Sequence, residues 1–146
     1  TGFWNAEGVA VQRRRPRAHV FRVDDFGAPS YPELVLATTP ETLRAHRARI
    51  AGTVAALRRG YEATTKDPAA ALSALTSAAP GVDRAAAARE LAAVTPAFTA
   101  AGRPFGDLDP ATLRTWAAWE QRFGIVKTRP DVARLFAPAL SRSALG

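Results

Sequence analysis

Only two stretches of this chain have strand character, and every later element signal is helical. Ala18 to Val23 carries Val20 and Phe21, and Glu33 to Thr38 carries the run Leu34-Val35-Leu36. β-Branched and aromatic residues favour pleated backbone, and a short unbroken apolar run suits a strand covered on both faces. Two strands cannot make a stable sheet by themselves. The expectation is therefore an α/β chain whose remaining strands lie in an N-terminal part outside this sequence. The opening Thr1-Gly2-Phe3-Trp4, with two large aromatics at once, agrees with entry in mid-domain.

Around these segments the helix starts are written in capping chemistry. Asn5 can cap a short helix from Ala6 to about Arg14, which Arg15-Pro16 ends. Thr39-Pro40-Glu41, Asp67-Pro68 and Asp109-Pro110 each pair a side-chain acceptor with proline in the first turn. Leu43, Ile50, Val54, Leu57 and Tyr61 then share one face of a helix reaching about Thr65. Leu72 and Leu75 belong to a second helix, stopped at Pro80-Gly81. Asp83 caps a third, with Ala87, Leu91, Val94 and Phe98 on its apolar side. Gly102 to Gly106 reads as a loop. The Asp109 helix carries Leu113, Trp116, Trp119, Glu120 and Phe123 and ends at Phe123-Gly124. Thr128-Arg129-Pro130 predicts a last helix with Val132, Leu135 and Phe136, and Ser141 to Gly146 a frayed tail. Residues 1–38 are thus read as the strand-bearing part and 39–146 as a helical closing segment.

Composition narrows the function. With 47% hydrophobic and 23% charged residues among 146, the chain can bury a core and is not of a disordered class. The net charge is +7, which raises the question of polyanions. In the first sixty residues the arginines are spread over Arg13, Arg14, Arg15, Arg17, Arg22, Arg44, Arg47, Arg49, Arg58 and Arg59. No nucleic-acid-binding motif accompanies them, so they read as solvated surface and no nucleic-acid partner is expected. Without Cys there is no thiolate nucleophile or Cys-ligated metal. His19 and His46 stand in no metal-ligand spacing. No apolar stretch reaches the roughly 18–20 residues that span a bilayer.

Several segments resemble one family in order along residues 2 to 137. Trp4-Asn5-Ala6-Glu7-Gly8-Val9 is similar to its WNxEG segment. Arg22-Val23-Asp24-Asp25-Phe26-Gly27-Ala28-Pro29-Ser30-Tyr31-Pro32-Glu33-Leu34-Val35-Leu36 resembles its DxGxPxYPELVL stretch. Gly60-Tyr61-Glu62 with Lys66-Asp67-Pro68 resembles a helix junction. Phe105-Gly106-Asp107-Leu108-Asp109 followed by Trp116, Trp119 and Phe123-Gly124-Ile125 resembles its C-terminal pattern. The family is the SsuA-like and thiamine-pyrimidine-synthase-like group of ABC-transporter substrate-binding proteins. The resemblance implies a periplasmic-binding-protein type II-like fold, of which this chain is the C-terminal half. It implies a ligand held between lobes, a permease as partner, no cofactor, and a periplasmic or extracellular location, with any lipid anchor in a leader outside this sequence. The related synthase carries a Cys-rich catalytic motif. The absence of Cys here favours a binding protein over an enzyme.

The resemblance implies a small heteroaromatic ligand, a thiamine-pyrimidine precursor of the hydroxymethyl- or aminomethyl-pyrimidine type, and an aminopyrimidine needs flat apolar faces and in-plane polar partners. Trp4 offers a stacking face, Glu7 a carboxylate for the amine and ring N–H, and Asn5 both donor and acceptor. Asp25 and Tyr31 form a second group, set against an ordinary turn role for Asp24 and Asp25. Trp116 and Trp119, three apart, read as packing residues rather than a stacking platform. A sulfonate, taurine or nitrate site would want Arg and helix N-terminal amides, against which Glu7 argues. The two open strands also expose a sheet edge that could drive dimerisation.

Overall fold

Capping side chains fix most of the helices. The structure, a computed structural model, describes residues 2–99, 103 and 105–143, the side chains of 141–143 excepted. Thr39 Oγ1 accepts from Thr42 N at 3.1 Å and starts α2 (Pro40–Ala45). His46, at φ −128° and ψ 30°, leaves helical backbone, and α3 (Arg47–Lys66) follows. The expected single helix is therefore broken at His46, although Ile50 N still donates to His46 O at 3.0 Å. Asp67 Oδ1 accepts from Ala70 N at 3.0 Å and opens α4 (Pro68–Ala78). Asp83 caps α5 (Arg84–Val94) through Ala85 N and Ala86 N. Asp109 Oδ2 accepts from both Thr112 N and Thr112 Oγ1 at the head of α6 (Pro110–Arg122).

The expected α/β class does not hold. Among the described residues there is no strand, and the architecture is helical. Neither Ala18 to Val23 nor Glu33 to Thr38 forms a strand, and Val23 instead begins a 3-10 turn, Val23–Phe26. The physical reason is the absence of ladder partners. β-Propensity records packing against neighbouring strands rather than an intrinsic backbone state. Without such neighbours Phe21 stays 74% and Leu34 83% exposed. With no sheet there is no sheet edge among the described residues, so edge pairing loses its basis as a route to a dimer.

The chain divides into two compact units. The first comprises Thr1–Arg22 and Arg59–Phe105. In it a π-helical turn (Trp4–Gly8) runs into α1 (Val9–Arg14), and α5 packs against both and against α4. Arg84 on α5 reaches back to Ser73 Oγ on α4 at 3.3 Å. Tyr61 stacks on Phe105 at 3.5 Å between centroids and meets Phe98 edge-on at 4.7 Å.

The second unit comprises Val23–Arg58 and Gly106–Gly146. Leu113 and Ala117 of α6, one turn apart, are buried with Val132 of α7 (Val132–Leu135), and Leu108 and Phe136 close over them. Asp131, not the Thr128-Pro130 stretch, caps α7 through Ala133 N. The chain then enters α8 (Pro138–Ser143), so a tail from Ser141 does not describe residues 141–143, and 144–146 lie outside the described residues. The expected loop at Gly102 to Gly106 is likewise described only at 103, 105 and 106. Gly27 and Gly124, at φ 92° and 70°, terminate the 3-10 turn and α6. Each is followed by a bond reaching five residues back, Ala28 N to Val23 O and Ile125 N to Glu120 O. That is the left-handed helix stop for which glycine is suited. Arg58, expected on the solvated surface, is 4% exposed.

Asp83 carries a pH dependence. The amides of Ala86 and then Ala85 hold its carboxyl below the ordinary value, and Arg13 and Arg89 add to this. Because the folded value is depressed, the cap's contribution is fully present above about pH 4, the unfolded value, and fades as pH falls through the lower folded one. In chemical denaturation across that acid range, Asp83→Asn should show a shallower loss of stability than the parent chain. Equal slopes would mean the cap does not titrate with folding.

Candidate functional site

The tightest candidate lies in the first unit, at the π-helical turn. Phe3 O accepts from Ala6 N at 3.2 Å and, across the wider π ring, from Gly8 N at 3.0 Å. Glu7 folds back so that Oε2 accepts from Phe3 N at 2.9 Å. This is the logic of a capping box, served from inside the turn. Asn5 therefore does not cap the helix. The position before the turn is Phe3, with no side-chain cap, and Asn5 sits within the turn. Isolated π-turns of this kind recur at functional sites.

Trp4 is half-buried, and the Arg22 guanidinium carbon lies 4.6 Å from its ring centroid. That is a cation–π distance. It is made possible by the chain folding back, since a Cβ at Gly8 would come within 3.3 Å of Val20. Trp4, Asn5 and Glu7 thus share one turn, with Arg22 added to them. Arg22 was not among the expected site residues. No local pattern ties it to Trp4, and only the reversal after α1 brings the two together. Glu7 Oε1 has no partner among the described residues, which leaves an acceptor on an exposed side chain.

Asp25 and Tyr31 belong to the second unit. Asp25 is exposed on the 3-10 turn. Tyr31 stacks on Trp116 at 4.1 Å and 18°, Trp116 on Trp119 at 5.0 Å and 15°, and Trp119 meets Phe123 at 4.7 Å. One face of Tyr31 is thereby committed, though 43% of the residue is exposed. Trp116 and Trp119 are half-buried and face each other, as packing residues do. The long-range partner of Tyr31 is a contact that sequence spacing could not supply.

Residues 1–71 match the family model described as NMT1/THI5 like. The NMT1/THI5-like match takes in the Trp4 to Val9 segment, the stretch through Leu36 and the Gly60 to Pro68 junction. The Phe105 to Ile125 pattern lies beyond it. It supports the SsuA-like and thiamine-pyrimidine-synthase-like binding-protein family, and with it a solute-binding or transport-related role in general. No curated protein and no solved structure matches the chain. No helix among the described residues is long and apolar enough to cross a membrane.

Proposed function

We propose that this chain is the solute-binding component of an ABC importer and captures a thiamine-pyrimidine precursor of the hydroxymethyl- or aminomethyl-pyrimidine type. It acts outside the cytoplasm, hands its ligand to a permease, and performs no chemistry on it. The observation that carries the reading is the Trp4 turn inside the NMT1/THI5-like match, with a half-buried indole and a carboxylate that keeps one oxygen open. An indole face suits a pyrimidine ring, and the open Glu7 oxygen suits an exocyclic amine. Arg22 over the indole fixes the ring's orientation before ligand arrives.

Titration calorimetry of the full chain with the two pyrimidines, thiamine, taurine and nitrate tests this. Pyrimidine binding should be preferred, and Glu7→Gln should weaken it by about tenfold or more, the worth of one charge-assisted hydrogen bond. Glutamine still offers an oxygen to Phe3 N, so the turn should survive and circular dichroism should not change. Preference for taurine or nitrate, indifferent to Glu7→Gln, would remove the pyrimidine assignment, and binding of none of the panel would remove the reading altogether.

A further inference from the structure

From Gly8 to Val23 the chain contains five arginines and no carboxylate. The arginines at 13, 14, 15 and 17 cluster where α1 ends and the chain reverses, with Ala18 N donating to Arg15 O at 2.8 Å. Every residue from 10 to 17 is exposed, and so are 19 to 22. Arg13 approaches Asp83 only at 4.0 Å, both side chains being half or more exposed. Among the described residues no carboxylate pairs with Arg14, Arg15 or Arg17. Apolar side chains stand exposed beside this charge: Val11 at 48%, Val20 at 37% and Phe21 at 74%.

We propose that this arginine loop docks the protein on an anionic lipid surface. Clustered arginines gain from the negative potential of acidic headgroups. Exposed apolar side chains next to them gain by entering the boundary between headgroups and acyl chains. A single-stranded nucleic acid would use the same charge but needs rings to stack its bases. Of the three exposed apolar residues only Phe21 offers a ring, Val11 and Val20 being aliphatic, and one face of Trp4 is covered by Arg22. The mixture of aliphatic and aromatic exposure therefore fits lipid better than bases. The surface does not depend on the pyrimidine reading, since Arg13, Arg14, Arg15 and Arg17 lie outside the Trp4 turn and only Arg22 touches it.

Flotation of the full chain with vesicles tests it. Vesicles of equimolar phosphatidylcholine and phosphatidylglycerol should bind the protein, pure phosphatidylcholine should not, and added salt should weaken the binding. The triple variant Arg14→Gln, Arg15→Gln, Arg17→Gln should lose at least tenfold in partitioning, since each arginine near an acidic surface contributes severalfold. Phe21→Ser should lose severalfold while keeping the salt dependence. Both variants should retain the parent's circular dichroism. Equal binding to both vesicle types, no binding to either, or undiminished binding by the triple variant would overturn the proposal. So would tighter binding to a single-stranded oligonucleotide than to the acidic vesicles, measured by fluorescence anisotropy.

Discussion

Replacing Leu113 by alanine is expected to lower stability by about 3 kcal/mol, within the range for fully buried leucines. Leu113 is 4% exposed and sits one turn before Ala117 on α6. Val132 of α7, Leu108 and Phe136 complete its surroundings. Only Ala28, Leu113, Ala117, Val132 and Leu140 are buried apolar residues among those described. Leu108 and Phe136 around Leu113 are only partly buried and can move toward the space, which keeps the expected cost in the lower part of that range. Leu135, 66% exposed on the neighbouring α7, is the matched control. Leu135→Ala should cost no more than about 0.5 kcal/mol, as surface changes do. The comparison is read from guanidinium denaturation midpoints at unchanged slope. If the two variants unfold at the same midpoint, Leu113 is not the centre of that packing.

The features legible in the sequence are those decided within a few residues. Thr39, Asp67, Asp83 and Asp109 each bond an amide no more than three positions away, so residue type was enough, helped by an adjoining proline at all but Asp83. Gly124 ends α6 for an equally local reason, its positive φ. The strands failed because a strand is a relation between segments. Val20, Phe21 and Leu34-Val35-Leu36 have the composition, but composition cannot supply a ladder. Asn5 failed for a subtler reason. It is a good capping type, yet Glu7 satisfies the Phe3 amide and the turn closes on the Phe3 carbonyl. The candidate site divides along the same line. Trp4, Asn5 and Glu7 fall in one turn because they are close in sequence. Arg22 over Trp4 and Trp116 under Tyr31 are products of chain reversal and were invisible. Burial of Arg58 was hidden too, since one more arginine in a basic chain looks like surface.

Trp116→Ala should also cost about 3 kcal/mol, the low end for a large aromatic because the indole is only half-buried. It occupies the middle of a row, so its loss strips a stacked partner from both Tyr31 and Trp119. Each such pair contributes roughly 0.5–1.5 kcal/mol beyond its buried area. A double-mutant cycle with Tyr31→Ala should accordingly return a coupling of about 1 kcal/mol. The near-parallel indoles of Trp116 and Trp119 should give a coupled aromatic dichroism band that vanishes in Trp116→Ala. Tyr31→Phe separates packing from recognition, because it keeps the ring on Trp116 and removes only the hydroxyl. If Tyr31 serves the ligand through that hydroxyl, Tyr31→Phe weakens pyrimidine binding at unchanged stability. If Tyr31 serves the fold, Tyr31→Phe changes neither, while Tyr31→Ala and Trp116→Ala destabilise through the same contact and the coupling accounts for the shared part.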